Sequence, residues 1–299
     1  MQNVLVTGST GFVGTEVSQK LESNNFKVWR LDKNISIEDD NHFCIDVSSK
    51  EDINRIPKFG FDAIIHCAAQ TDVRKSVEDP TSDLFANGLG TLNLVEFAAA
   101  SAVKNFVYIN SGGAIYGTEE LPLSEKSPVA PSSPYGLTKF LGEEYVRILC
   151  TRYGIQWSSL ALSNVYGDVI KNNKGVIYEF ARKISLNEVP IIFGEGVTRD
   201  FVYIDDVVKA IEIALNKPTS CRVNISSNTE TSIEEIFLIV ARELKASIKP
   251  LHEASRFGEI LRSRLDNSLA KKCLDWEPSV SISEGVAKSL SNFNFKPRV

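Results

Sequence analysis

The 299-residue chain is poor in the features that would place it outside the ordinary globular enzymes. Its five cysteines, Cys44, Cys67, Cys150, Cys221 and Cys273, show no Cys-x-x-Cys spacing. Most lie in apolar stretches, so they read as reduced, structural thiols rather than a disulfide framework or a zinc site. Three histidines form no metal pattern, and no metal is expected. His66, between Ala63-Ile64-Ile65 and Cys67-Ala68-Ala69, reads as a packed residue at a strand end. Lysine and arginine are nowhere clustered and the formal charge is -5, which argues against a nucleic-acid surface. No apolar run approaches the length of a membrane span, and no basic leader precedes Val4-Leu5-Val6. These absences lead to the expectation of a soluble, cytoplasmic protein. With 43% apolar and 24% charged residues, no stretch is polar enough to argue for long disorder.

What is present is an alternation of short apolar runs with longer amphipathic ones. Strands are expected at Val4 to Thr7, Lys27 to Asp32, His42 to Ile45, Asp62 to Cys67, Asn105 to Asn110 and Gln156 to Leu162. Helices are expected at Gly11 to Glu22, Thr81 to Ala102 and Tyr135 to Tyr153. Strand, crossover helix and strand in repetition make an α/β fold with a doubly wound parallel sheet. Beyond Tyr166 the alternation weakens, without any Gly/Ser linker. The expected division is a dinucleotide-binding domain over 1–165 with a returning segment at about 197–226. A smaller, interleaved C-terminal substrate-binding region is expected over 166–196 and 227–299.

Gly8, Gly11 and Gly14 follow the first strand and open the first helix. Glycines there allow a tight turn and close backbone approach, so a pyrophosphate can rest against the positive helix end. Phe12 and Val13 belong to the same turn. Asp32 ends the second strand about twenty residues on, where a carboxylate accepts from adenosine ribose hydroxyls and repels a 2'-phosphate. That favours NAD, while Arg30 and Lys33 leave NADP open. Asp46, followed by Val47, is placed to meet the adenine; a solvated Asp at a strand end is the competing reading.

Tyr135 and Lys139 stand four apart, so on a helix they share one face. A phenol with an ordinary pKa of about 10 ionises more readily beside a cation. Pro134 suits a first helical turn, and Ser132 or Ser133 can cap it.

Taken in order, these and further landmarks resemble the extended short-chain dehydrogenase/reductase family, in its nucleotide-sugar epimerase and dehydratase branch, over nearly the whole chain. The landmarks are the run from Thr7 to Gly14, His66-Cys67-Ala68-Ala69, Asn87 to Thr91, Ser111 to Gly117, Ser133 to Lys139 and Asn164-Val165-Tyr166-Gly167. Further on come Arg199 to Val207, Arg256 to Glu259 and Leu274 to Pro278. The resemblance implies a Rossmann domain holding NAD, with Ala68 and Ala69 also lining the cofactor. It makes Tyr135 the base and gives Lys139 two tasks, lowering the phenol's pKa and holding the nicotinamide ribose. The family's Ser or Thr for the sugar 4-hydroxyl falls here on Gly112, so Ser111, one residue earlier, is the candidate. Asn164, Arg199 and Arg256 match residues that hold the substrate diphosphate, with Gly112 in the sugar-binding wall. Arg262 and Arg264 are left as solvated charges.

Gly113 and Ala114 stand where 4,6-dehydratases carry an acidic pair, which excludes that chemistry. The leading expectation is a 4-epimerase that oxidises the sugar transiently to a 4-keto intermediate. The alternative is an NAD(P)H-dependent reductase of a nucleotide-linked 4-keto-6-deoxy sugar. A non-catalytic sensor has no need for Tyr135 and Lys139 together. The two long helices imply a homodimer by resemblance.

Overall fold

Strand β1 (Asn3–Thr7) shows how the sequence builds the sheet: Val4 and Val6 enter one core, and Leu5 between them enters the other. Side chains alternate across a strand, so a continuous apolar run is what a strand buried on both faces requires. Ile64 and Ile65 divide in the same way. The computed structural model describes residues 2–57, 60–117, 120–168, 174–255, 260–291 and 293.

Six further strands join β1: β2 (Lys27–Asp32), β3 (His42–Cys44), β4 (Ala63–His66), β5 (Asn105–Ser111), β6 (Gln156–Leu162) and β7 (Arg222–Ile225). Their order is β7-β6-β5-β4-β1-β2-β3, and every pairing is parallel. This is the doubly wound α/β sheet expected, with β7 added from the late part of the chain. The order reverses between β4 and β1, so a crevice opens above their carboxyl ends, where such sheets bind ligands.

Helix α1 (Phe12–Ser23) follows β1, with Gly11 as its N-cap and no side chain capping it. The stretch expected as one helix from Thr81 is three joined pieces: Pro80–Asp83, a π-helical segment Leu84–Leu89, and α2 (Gly90–Ala100). Helix α3 (Pro134–Tyr145) likewise continues through a π-helical segment, Val146–Cys150, into Thr151–Tyr153. Each π segment inserts a residue that a 3.6-residue pattern cannot announce.

Three later helices, α4 (Gly175–Ser185), α5 (Ile204–Asn216) and α6 (Ile233–Glu243), are strongly amphipathic. Their apolar faces, with Ile177, Phe180, Ile211 and Phe237, belong to the same core as Val4 and Ile65 of the sheet. Trp276, fully buried there, donates its indole N–H to the Asp206 carbonyl at 2.9 Å. The C-terminal segments therefore share the sheet's core. Among the described residues no helix is long and apolar enough to cross a membrane.

Candidate active site

The crevice begins with the glycine turn. Gly8 sits at φ +66°, and a Cβ there would come within 2.6 Å of the Ala68 nitrogen, so the turns after β1 and β4 touch. A Cβ on Gly14 would lie 2.1 Å from the Gly8 carbonyl oxygen. The first turn of α1 thus folds directly over the end of β1, with no side chain capping its N-terminus. Phe12 and Val13 are half-buried against the core, and the Phe12 ring reaches Gly167.

Asp32 is nearly buried at the end of β2, accepting from the Thr10 N–H at 3.2 Å and the Asn34 N–H at 2.9 Å. Arg30 turns away and forms a 2.9 Å ion pair with Glu22 of α1. With that guanidinium engaged, the edge of the crevice presents a carboxylate, which is the NAD-type arrangement. Burial works against the Asp46 carboxylate, but hydrogen bonds from the Ser48 hydroxyl and N–H outweigh it and hold the pKa below the usual range. Val47 packs on Gly90, and its carbonyl accepts from Asn93 at 3.0 Å. Ala68 and Ala69 are half-buried on the β4 side, and the Ala68 N–H donates to the Thr7 hydroxyl at 3.2 Å.

His66 is fully buried between the hydroxyls of Thr7 (2.7 Å) and Thr91 (3.0 Å). Burial, aided by the charge of Lys139, brings its pKa down to about 3, so it is a neutral packing residue as expected. Burial likewise pushes the Cys67 thiol up to about 12, and the described cysteines are all free.

Helix α3 carries the central pair. Ser133 caps it by accepting from the Gly136 N–H at 3.1 Å, Pro134 occupies the first turn, and the Tyr135 N–H donates to the Ser76 hydroxyl at 3.1 Å. Tyr135 is only 9% exposed, and the Ser111 side chain at the end of β5 is close enough to act on its phenol. Burial raises the phenol's pKa, the Ser111 side chain lowers it, and the charge of Asp83 raises it again, for a net rise. The expected depression is thus not present in the protein alone. Lys139 lies one turn on, with its ammonium 4.2 Å from the centre of the Tyr108 ring. Burial pulls its pKa down to about 7 against the opposing influence of Cys67, Asp83 and Glu143. A desolvated cation over an aromatic face has spare donor capacity, and ribose hydroxyls are suitable acceptors.

Gly112 does not line an open wall. It is buried, and a Cβ there would strike Leu265 Cδ1 at 2.4 Å, because the turn after β5 packs directly on that side chain. Gly113 is the open position, with Asn164 Oδ1 and Ser263 Oγ each 4.0 Å from where its Cβ would be. Asn164 also borders a cavity of about 810 Å³ running under α4, together with Arg199, Arg74, Lys174 and Lys183. Four cations face one carboxylate, Glu179, in that lining, and the volume suits a nucleotide-sized anion. Sequence reasoning missed Arg74, because it stands in a short helix (Val73–Glu78) that carries no recognisable signal. Arg256 lies outside the described residues. Arg262 pairs with Glu230 at 2.6 Å, whereas Arg264 is half-buried and bonded to Asn228 at 2.9 Å, so only the first is a solvated charge.

The glycine turn, the Asp32 carboxylate and the buried Lys139 together fit NAD. Comparison with known proteins agrees. The chain is 34% identical to the UDP-glucose 4-epimerase of Mycolicibacterium smegmatis, across 98% of both proteins. The crystal structure of the Thermotoga maritima UDP-glucose 4-epimerase with UDP-glucose superposes with a TM-score of 0.92, at 32% identity and 98% coverage of each chain. The Thermus thermophilus UDP-glucose 4-epimerase complex with NAD gives 0.88, at 31% identity, covering 98% of this chain and 99% of that one. The model of the NAD dependent epimerase/dehydratase family matches residues 4–226, well over half of the chain, and the protein belongs to that family.

Proposed function

We propose that this protein is an NAD-dependent nucleotide-sugar 4-epimerase acting on UDP-hexoses. The observation that carries the reading is the buried Tyr135 phenol, one helical turn from the buried Lys139 on α3, in a chain that also carries the glycine turn after β1. NAD, when bound, supplies the hydride acceptor for sugar carbon 4 and a positive charge beside the phenol. Tyr135 takes the 4-hydroxyl proton and later returns it, and Ser111 orients that hydroxyl. Lys139 holds the nicotinamide ribose. Gly8, Gly11, Phe12, Val13 and Gly14 receive the pyrophosphate, Asp32 the adenosine ribose, and Asp46, Val47, Ala68 and Ala69 the remaining adenosine and nicotinamide contacts.

Arg199 and Asn164, with Arg74 beside them, anchor the UDP diphosphate in the cationic cavity. From the sequence, Arg256 is assigned to the same phosphates. Anchoring the diphosphate while leaving the sugar free to turn over lets the hydride return to the opposite face.

We also assign a homodimer paired through the two long helices. Val77, Leu84, Phe85, Leu137 and Ile148 are large apolar side chains that stay exposed in and around them, with Val77 at 64%. Large apolar side chains left exposed along these helices suit an association surface.

The test is turnover by purified protein that retains its NAD. It is expected to interconvert UDP-glucose and UDP-galactose, and Tyr135→Phe is expected to lose roughly 10²- to 10⁴-fold in kcat. Consumption of NADH on a nucleotide-linked 4-keto sugar without epimerisation would move the protein to the ketoreductases. Undiminished turnover in Tyr135→Phe would remove the phenol from the mechanism.

A further inference from the structure

Beneath Ser111 runs a buried polar chain that no sequence landmark contains. Its far end is Arg222, the first residue of β7, whose Nε donates to both carboxylate oxygens of Glu143 at 2.9 and 3.0 Å, while Nη2 also contacts the carboxylate. The guanidinium lies 5.3 Å from the centre of the Tyr116 ring and 5.7 Å from that of Phe140, and the pair is almost closed to solvent. Glu143 Oε2 further accepts from the Asn110 amide at 2.6 Å and from the Ser159 hydroxyl at 2.5 Å.

The chemistry of these groups fixes a direction. An ionised carboxylate only accepts, so Asn110 must turn its Nδ2 toward Glu143 and its oxygen the other way. That oxygen accepts the Ser111 N–H at 2.8 Å. The Ser111 side chain in turn acts on the Tyr135 phenol, lowering its pKa. Arg222 holds Glu143, Glu143 orients Asn110, Asn110 holds the Ser111 backbone, and Ser111 meets the phenol. Glu143 stands one turn beyond Lys139 on α3.

We propose that Asn110 and the Glu143–Arg222 pair are positioning residues that set Ser111 against the Tyr135 phenol. They are assigned no contact with sugar or cofactor and act on the phenol through Ser111. In this chain the hydroxyl comes from residue 111, with glycine at 112, and the braced backbone fixes where that hydroxyl stands.

The inference rests on the epimerase reading, and a double-mutant cycle on the NAD-containing enzyme separates the two. Wild-type interconversion of UDP-glucose and UDP-galactose tests the reading itself. The inference is tested by kcat and KM for wild type, Asn110→Ala, Ser111→Ala and the double variant, with NAD content measured for each. Asn110→Ala is expected to lower kcat tenfold or more with KM changed less than twofold. In the Ser111→Ala background the same substitution is expected to lower kcat less than twofold, because the group it positions is already gone. Equal losses in the two backgrounds, or a loss shared by kcat, KM and NAD content, would make Asn110 merely structural and overturn the proposal. Should Asn110→Ala not fold, Arg222→Met runs the same cycle from the far end of the chain, with a threefold or larger loss of kcat that disappears beside Ser111→Ala. Equal losses there overturn the proposal too.

Discussion

Replacing Gly14 with alanine sets two effects against each other, and the structure says which wins. Gly14 lies in α1, where alanine is favoured over glycine by about 1 kcal/mol on helix propensity. Its new methyl group would stand 2.1 Å from the Gly8 carbonyl oxygen, 2.8 Å from the Gly8 carbonyl carbon and 3.0 Å from Ser9 Cα. These are backbone atoms of the cofactor turn, so no side chain can swing aside. The turn itself must retreat by about 1 Å, and overpacking of that kind costs roughly 1–3 kcal/mol. Because the displaced N–H groups are the ones offered to the pyrophosphate, much of that cost falls on NAD binding, a loss of about 5- to 150-fold in affinity.

Two other glycines calibrate the experiment. Gly11→Ala brings a methyl group to 3.2 Å from the same oxygen and is expected to lose less than about fivefold, whereas Gly60→Ala meets nothing within 4 Å and should be silent. Calorimetric titration of NAD into protein stripped of it, with melting curves alongside, gives the ranking. Wild-type affinity and melting temperature in Gly14→Ala would show that the turn is not packed as described.

Lys139 offers a stability test in NAD-free protein. Its pKa falls from 10.5 to about 7 on folding, so between those values the unfolded chain holds more protons and stability rises with pH. The full penalty of burying the charge is present below pH 7. Lys139→Met should flatten the urea midpoint between pH 7.5 and 9.5, removing a slope of roughly 1.4 kcal/mol per pH unit; an unchanged slope would place the titration elsewhere. Arg199→Met should raise KM for UDP-glucose by about 10- to 100-fold, the worth of hydrogen bonds to a charged group, with NAD content unaltered. Phe85→Glu combined with Ile148→Glu should yield monomers in sedimentation velocity, and a persistent dimer would locate the interface on another surface.

The sheet was legible because its central strands are buried on both faces and read as largely apolar runs; β7 was not, since Arg-Val-Asn-Ile is short and carries two polar residues. Tyr135, Lys139 and the glycine turn were legible because their spacing within one element determines their geometry. Asn110, Glu143 and Arg222 were invisible for the opposite reason. They meet only when β5, α3 and β7 assemble, at separations of 33 and 79 residues, and no local spacing records such a meeting. Leu265, far along the chain, fills the space beside Gly112, and no local pattern announces that contact. The depression of the phenol's pKa expected from Lys139 failed because burial, the largest influence on Tyr135, raises it.

Strand β7 completes the sheet beside β6 from residues made some sixty positions later. At a synthesis rate of about 5–20 residues per second, a growing chain displays the bare hydrogen-bonding edge of β6, with Leu160 and Leu162, for roughly 3–12 s before its neighbour emerges. The nascent protein is therefore most vulnerable to mispairing late in translation, and ribosome stalling between residues 163 and 221 should lengthen that interval and favour aggregation.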